Sequence, residues 1–246
     1  MLEVGFVTLF PEMVLQALGH SILRRAEQAG LVSFSTSDPR DFATDKHRTV
    51  DSRPFGGDSG MLLMAEPVAQ AIERLLPSAK SPKPDTAVVF PDPTGHLFTQ
   101  SHASELSRCE RVVFVCGHYE GIDDRVRQTF ATHVLSLGDF VLTNGEMPAL
   151  IMADAAVRLL PGVLGSPESL DQDSHSDGLL SAPQFTRPET WRGLAVPEVL
   201  RSGDHKKVAE WKRRQALLLT RINRPDLFAK APLSKKDLEL LAPDEA

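Results

Sequence analysis

Two short turns carry the residues best placed to do chemistry. Val112-Val113-Phe114-Val115 runs into Cys116-Gly117-His118-Tyr119-Glu120-Gly121-Ile122. Val134 to Leu137 runs into Gly138-Asp139-Phe140-Val141-Leu142-Thr143-Asn144-Gly145-Glu146. With no Cβ, Gly117, Gly121, Gly138 and Gly145 let the main chain come close to a bound molecule. Loops at the carboxyl ends of strands are where open α/β sheets bind ligands. The expected chemistry is a pocket built mainly of backbone groups with a few acids at hand, Glu120 among them. Neither a Walker A loop nor a GxGxxG turn is present, which argues against a generic nucleotide-binding enzyme.

The elements that must position these turns follow from the apolar pattern. Strands are expected at Leu2 to Leu9, Leu31 to Thr36, Thr86 to Phe90, Val112 to Cys116 and Val134 to Leu137. Glu12 to Ala29 has helical spacing and stops at Gly30, a residue suited to ending helices. Glu66 to Leu76 and Glu146 to Leu160 repeat the form, the last ending at Pro161-Gly162. Strands alternating with helices predict parallel pairing through crossovers, hence an α/β sheet.

Two long segments interrupt this pattern. Asp38 to Gly60 is crowded with charge and ends in glycine turns, the profile of a functional or disordered loop. Ser166 to Gly178 is polar and acidic, and is expected to be an interdomain linker. Beyond it, Val208, Trp211, Leu218 and Ile222 resume helical spacing.

The 246 residues are 41% hydrophobic, enough for a substantial core. The net charge of −6 excludes a uniformly basic coat, but the charge is uneven. Residues 201–236 hold eleven Lys and Arg against three Asp and Glu, and such asymmetry points to an anionic partner for that segment. Cys109 and Cys116, the only cysteines, make neither a disulfide framework nor a zinc signature. The eight histidines show no metal-ligand spacing, so no protein-bound metal site is expected. The start, Met1-Leu2-Glu3-Val4-Gly5-Phe6-Val7, reads as a strand and lacks a basic n-region. No stretch has the length and apolarity of a membrane span. A soluble, cytoplasmic protein is expected.

A series of ordered motifs then carries a family resemblance across nearly the whole chain. They are Leu9-Phe10-Pro11-Glu12-Met13, Pro39-Arg40-Asp41-Phe42, Asp45 to Asp51, Gly117 to Ile122, Gly138-Asp139, Gly145-Glu146, Pro161 to Gly165, Asp177-Gly178-Leu179-Leu180 and Thr186-Arg187-Pro188. On these the chain resembles the bacterial tRNA (guanine-N1)-methyltransferases that modify guanine 37, of the SPOUT class. The resemblance implies an α/β parallel sheet with a deep trefoil knot over residues 1–165. A linker over 166–178 and a small all-helical, basic RNA-binding domain over 179–246 would follow.

It implies a homodimer with each site at the subunit interface, S-adenosyl-L-methionine as methyl donor, and Mg²⁺ as an admissible participant in catalysis. Three loops would cradle the cofactor. The first supplies Phe90, Pro91, Pro93 and Gly95; the second Gly117, Tyr119, Glu120 and Gly121; the third Leu137, Gly138, Phe140, Leu142, Gly145 and Pro148. The chain departs from the family pattern at Thr94, His118 and Asn144.

Guanine N1 carries a proton that must leave as the methyl group arrives. The resemblance gives the role of general base to Asp173, and it gives Arg158 the negative charge that develops on O6. Glu120 would face the sulfonium or a ribose hydroxyl. Tyr119 and Phe140 would flank the adenine, core packing being the alternative. Phosphate contacts would come from Lys206, Lys207, Lys212, Arg213 and Arg214. The charged loop with Asp51 and Arg53 would approach the anticodon stem and the target base. The competing readings are a SPOUT enzyme acting on another RNA or on a ribose hydroxyl, and an RNA-binding protein with an inactive pocket.

Overall fold

The computed structural model describes residues 1–57, 59–76, 85–165 and 173–242. The chain divides into two compact units, Met1–Gly165 and Ser166–Ala246.

Five parallel strands form the sheet of the first unit: β1 (Leu2–Val7), β2 (Val32–Ser37), β5 (Thr86–Leu97), β6 (Arg111–Val115) and β7 (His133–Ser136), in the order β2-β1-β6-β5-β7. Alternate side chains of a strand face opposite ways, and here both faces are covered. Val4, Phe6, Val112 and Phe114 pack on one side with Val14, Leu18, Met152 and Ala156. These come from helices α1 (Pro11–Leu18) and α6 (Glu146–Val157). Val7, Val88, Val113 and Val115 pack on the other with Val68, Ile72, Val126 and Phe130, from α3 (Ala65–Leu75) and α5 (Asp124–Phe130). Burial on both faces accounts for the unbroken apolar runs in β5 and β6.

The single helix expected over Glu12 to Ala29 is two. α1 closes where Gly19 N–H donates to the carbonyls of Leu15 and Gln16. The chain turns at Ser21, with φ +50°, and resumes as α2 (Ser21–Gln28). Gly30, at φ +70°, lies just past its end. β5 runs seven residues beyond the expected Phe90, and its pairing with β7 skips from Pro91 to His96. The short α4 (Gln100–Leu106) follows it.

The charged segment 38–60 is partly ordered. A 3-10 turn, Pro39–Phe42, is capped by Asp38, whose Oδ1 accepts from Arg40 N–H at 2.8 Å. Arg48 and Arg74 both pair with Asp41. β3 (Asp51–Ser52) pairs antiparallel with β4 (Leu62–Leu63). Asp58 lies outside the described residues.

The second unit contains α7 (His205–Asn223), α8 (Pro225–Phe228) and α9 (Lys235–Leu241). It is not all-helical as expected: β8 (Thr190–Trp191) and β9 (Leu194–Ala195) form a small hairpin, turned by Arg192 and Gly193 at φ +51° and +80°. Of the expected linker, residues 166–172 lie outside the described residues. No described helix is long and apolar enough to cross a membrane.

Candidate active site

A bulge within β5 and the loops that leave β6 and β7 wall one cleft of about 340 Å³, within the range of small-molecule sites. The first is the bulge Pro91 to Gly95. A Cβ on Gly95 would lie 2.5 Å from the Val134 carbonyl group, so glycine is what lets this loop lie flat on β7. The second, Gly117 to Gly121, is bent by Tyr119 and Gly121 at φ +57° and +122°. It is pinned to β4: Glu120 N–H donates to Met61 O, and Leu63 N–H to Gly121 O, both at 3.0 Å. The third returns from β7 to the start of α6, where Gly145 N–H donates to Gly117 O at 2.9 Å. A Cβ on Gly145 would sit 2.6 Å from Gly117 N.

The expected residues Pro91, Pro93, Gly117, Tyr119, Glu120 and Gly121 line the cleft, as do Leu137, Phe140, Leu142, Gly145 and Pro148. Gly95 and Gly138 do not, and Phe90 lines an adjoining cavity that shares Pro91, Gly117, Glu120 and Gly121 with it. Phe90 is buried in the core, Gly95 packs on β7, and a Cβ on Gly138 would meet the Phe140 ring at 2.9 Å. Tyr119 and Phe140 are 58% and 55% exposed, so core packing is not their role within this chain. Asp92, Thr94, Ser136, Val141, Thr143 and Asn144 also line the cleft; only their place in the strand-end loops could have marked them.

Arg158 caps the carboxyl end of α6, its N–H bonded to Asp154 O at 3.0 Å. Asp51 pairs with Leu63 across the β3–β4 ladder, and Arg53 is exposed.

In the second unit, Asp173 begins a compact turn. Its carbonyl accepts from Ser176 Oγ at 2.7 Å, and His175 N–H donates to Leu179 O at 2.7 Å. The turn is fixed on α7, where Leu180 N–H donates to Thr220 Oγ1 at 2.9 Å. Asp173 lines a 430 Å³ cavity with Asp177, His205, Lys212 and Arg213. The five basic candidates separate here. Lys206 and Lys207 are exposed and Lys212 half-buried. Arg213 is engaged by Asp237 and Asp177, which raise its pKa, and Arg214 Nε donates to Leu240 O at 3.0 Å. Among the described residues no group of three His, Cys, Asp or Glu is placed to hold a metal ion.

Fold and cleft together define a class: an α/β protein with a cleft walled by glycine-shaped loops at the carboxyl side of a parallel sheet, and a separate unit that carries the basic segment 201–236. Residues 2–230 match the tRNA (Guanine-1)-methyltransferase family TrmD. The chain is 47% identical over 240 residues to the tRNA (guanine-N(1)-)-methyltransferase of Staphylococcus epidermidis, covering 98% of this chain and 96% of the relative. It is 49% identical over 234 residues to that of Thermomicrobium roseum, covering 95% and 86%, and 48% over 241 residues to that of Geobacter sulfurreducens, covering 98% and 97%. The chain belongs to this family and is a tRNA (guanine-N1) methyltransferase.

Proposed function

We propose that the chain transfers the methyl group of S-adenosyl-L-methionine to N1 of guanine 37 in tRNA, beside the anticodon, with Asp173 as general base. The observation that supports this most is the convergence of three strand-end loops on one cleft. Its glycines have separable reasons. Gly95 and Gly145 are demanded by packing, but a Cβ on Gly117 would meet nothing nearer than 3.7 Å. The bareness of Gly117 therefore serves whatever enters the cleft.

The cleft suits the donor in size and charge. Asp92 and Glu120 bring carboxylates to its wall, and Tyr119 and Phe140 bring exposed rings. The buried Oδ1 of Asn144 has no hydrogen-bond partner among the described residues, a polar demand that a bound group or a loop adjustment on binding would meet. S-adenosyl-L-methionine supplies a methyl group activated by a sulfonium. The backbone of Gly117 to Gly121 and Leu137 to Gly145 holds it, and Glu120 favours its positive charge or accepts from a ribose hydroxyl.

Asp173 would take the N1 proton as N1 bonds the methyl carbon and the sulfonium's carbon–sulfur bond breaks, leaving a neutral thioether, a contribution of roughly 10²–10⁴-fold. Arg158 stabilises the negative charge that spreads to O6, which is greater in the transition state than in the ground state. Lys206, Lys207 and Lys212 meet tRNA phosphates, and the loop with Asp51 and Arg53 approaches the target base, which must leave its stack to react. Among the described residues no cluster of His, Cys, Asp or Glu is placed to hold the Mg²⁺ that catalysis would use.

The working form is a cytoplasmic homodimer with sites at the subunit interface. In its support, Phe10, Leu15, Met147 and Ile151 remain exposed on α1, α6 and the turn before α1, apolar side chains that a second copy would cover. A trefoil-knotted path is supported by membership of the family alone. Methyl transfer to a tRNA with guanines at 36 and 37, compared with one lacking them, tests the assignment. Product N1-methylguanosine at 37 in the first alone is expected; tRNA binding with neither donor binding nor transfer would indicate an RNA-binding protein with an inactive pocket instead.

A further inference from the structure

Glu146 opens α6 with its side chain wholly out of solvent, at 0% exposure. A buried carboxylate is tolerated only when paired and hydrogen-bonded. Thr8 Oγ1, at the end of β1, donates to Oε1 at 2.6 Å. His118 Nε2, in the loop after β6, lies 2.9 Å from both carboxylate oxygens. The positive end of the α6 dipole adds to these. Glu146 also reaches Cys116: burial first, and then the nearby carboxylate, push the Cys116 thiol well up.

His118 is the pivot of this arrangement. Its ring lies 5.0 Å from that of Phe10, and its carbonyl accepts from Gly121 N–H at 2.9 Å. Its main chain bridges Asn144. The residues on either side of His118, Gly117 and Tyr119, line the cleft, as do Gly145 before Glu146 and Pro148 two residues after it; neither His118 nor Glu146 lines it. Their part in this cleft is to position its walls.

We propose that His118 and Glu146 are a clamp that sets the spacing of the second and third cleft loops, and so are positioning residues for donor binding. The proposal rests on the cleft being the donor site. Calorimetric titration of the full-length protein with S-adenosyl-L-methionine tests it, together with steady-state kinetics and melting.

His118→Phe keeps a ring on Phe10 but loses the donor to Glu146. It should weaken donor binding about tenfold or more, the effect of one hydrogen bond to a charged group. KM for the donor should rise in step, while kcat at saturating donor and tRNA affinity stay within about threefold. His118→Gln, which restores an N–H donor, should recover most of the affinity, a recovery that mere loss of packing would not show. Glu146→Gln, which still accepts from Thr8, reads the same interaction from the other side should His118→Phe not fold, and should also weaken donor binding.

Wild-type donor affinity in His118→Phe would overturn the clamp, as would equal failure of His118→Phe and His118→Gln. A parallel fall of kcat, tRNA affinity and melting temperature would also overturn it. Gly117→Val separates the two levels. If it binds donor normally, the cleft reading itself fails; if it loses binding while His118→Phe does not, only the clamp fails.

Discussion

Arg213 and Asp237 are joined by two parallel hydrogen bonds, Nε to Oδ1 at 2.7 Å and Nη2 to Oδ2 at 3.1 Å. The same carboxylate caps α9, accepting from Ser234 N–H and Oγ at 2.9 and 2.8 Å, and the same guanidinium reaches Asp177 beside the turn that carries Asp173. One guanidinium, through two ion pairs, thus fastens α7 to α9 and to that turn.

Bonding to Arg213, opposed by burial and aided by Ser234, holds the Asp237 carboxyl well below its ordinary range. The folded state therefore binds this proton less readily than the unfolded chain. The stabilisation is complete above the ordinary carboxylate pKa of about 4 and is lost as pH falls through the folded value. Arg213→Ala should cost roughly 2–3 kcal/mol, since it strands a buried carboxylate. Asp237→Asn should lower stability at pH 7 and make melting between about pH 5 and 3 less acid-sensitive than in the wild type. Thermal unfolding across that range checks both.

Phosphate binding should divide along the same line. Replacing Lys206, Lys207 and Lys212 with Gln should weaken tRNA binding and flatten its dependence on salt, by roughly 0.7–0.9 in slope for each phosphate no longer neutralised. Donor affinity should not move. Binding isotherms at several salt concentrations provide the check, and an unchanged slope would remove these lysines from the interface.

Gly117 and Gly145 should fail differently. Gly145→Ala forces a Cβ to 2.6 Å from the Gly117 nitrogen, so both stability and donor binding should fall. Gly117→Val meets only ordinary van der Waals neighbours within the chain and should melt near the wild-type temperature while losing donor binding. Calorimetry beside thermal melting separates the two.

β1, β6 and the first half of β5 were legible because each is an apolar run bounded by turn residues and buried on both faces. The break at Gly19 was not, because apolar spacing continues across it and only the backbone at Ser21 turns the chain. α4 and α5, of seven residues each, are too short for a 3.6-residue period to register. The cleft loops were legible through Gly117, Gly121 and Gly145. Thr8 gave no signal, because its partner Glu146 is 138 residues away and only the β1–β6 register brings them together. Arg213 looked like one more cation in a basic run; only the folded chain puts Asp177 and Asp237 against it.

The general-base assignment is tested most directly by single-turnover methylation of a guanine-37 tRNA by the wild type, Asp173→Asn and Asp177→Asn, with donor and tRNA saturating. Asp173→Asn keeps the shape of the side chain but cannot take the N1 proton. Its rate should fall roughly 10²–10⁴-fold with donor and tRNA affinities nearly unchanged. Asp177→Asn, which weakens only one arm of the Arg213 bridge, should retain most of the rate. A near wild-type rate for Asp173→Asn, with the loss falling on Asp177→Asn instead, would contradict the assignment.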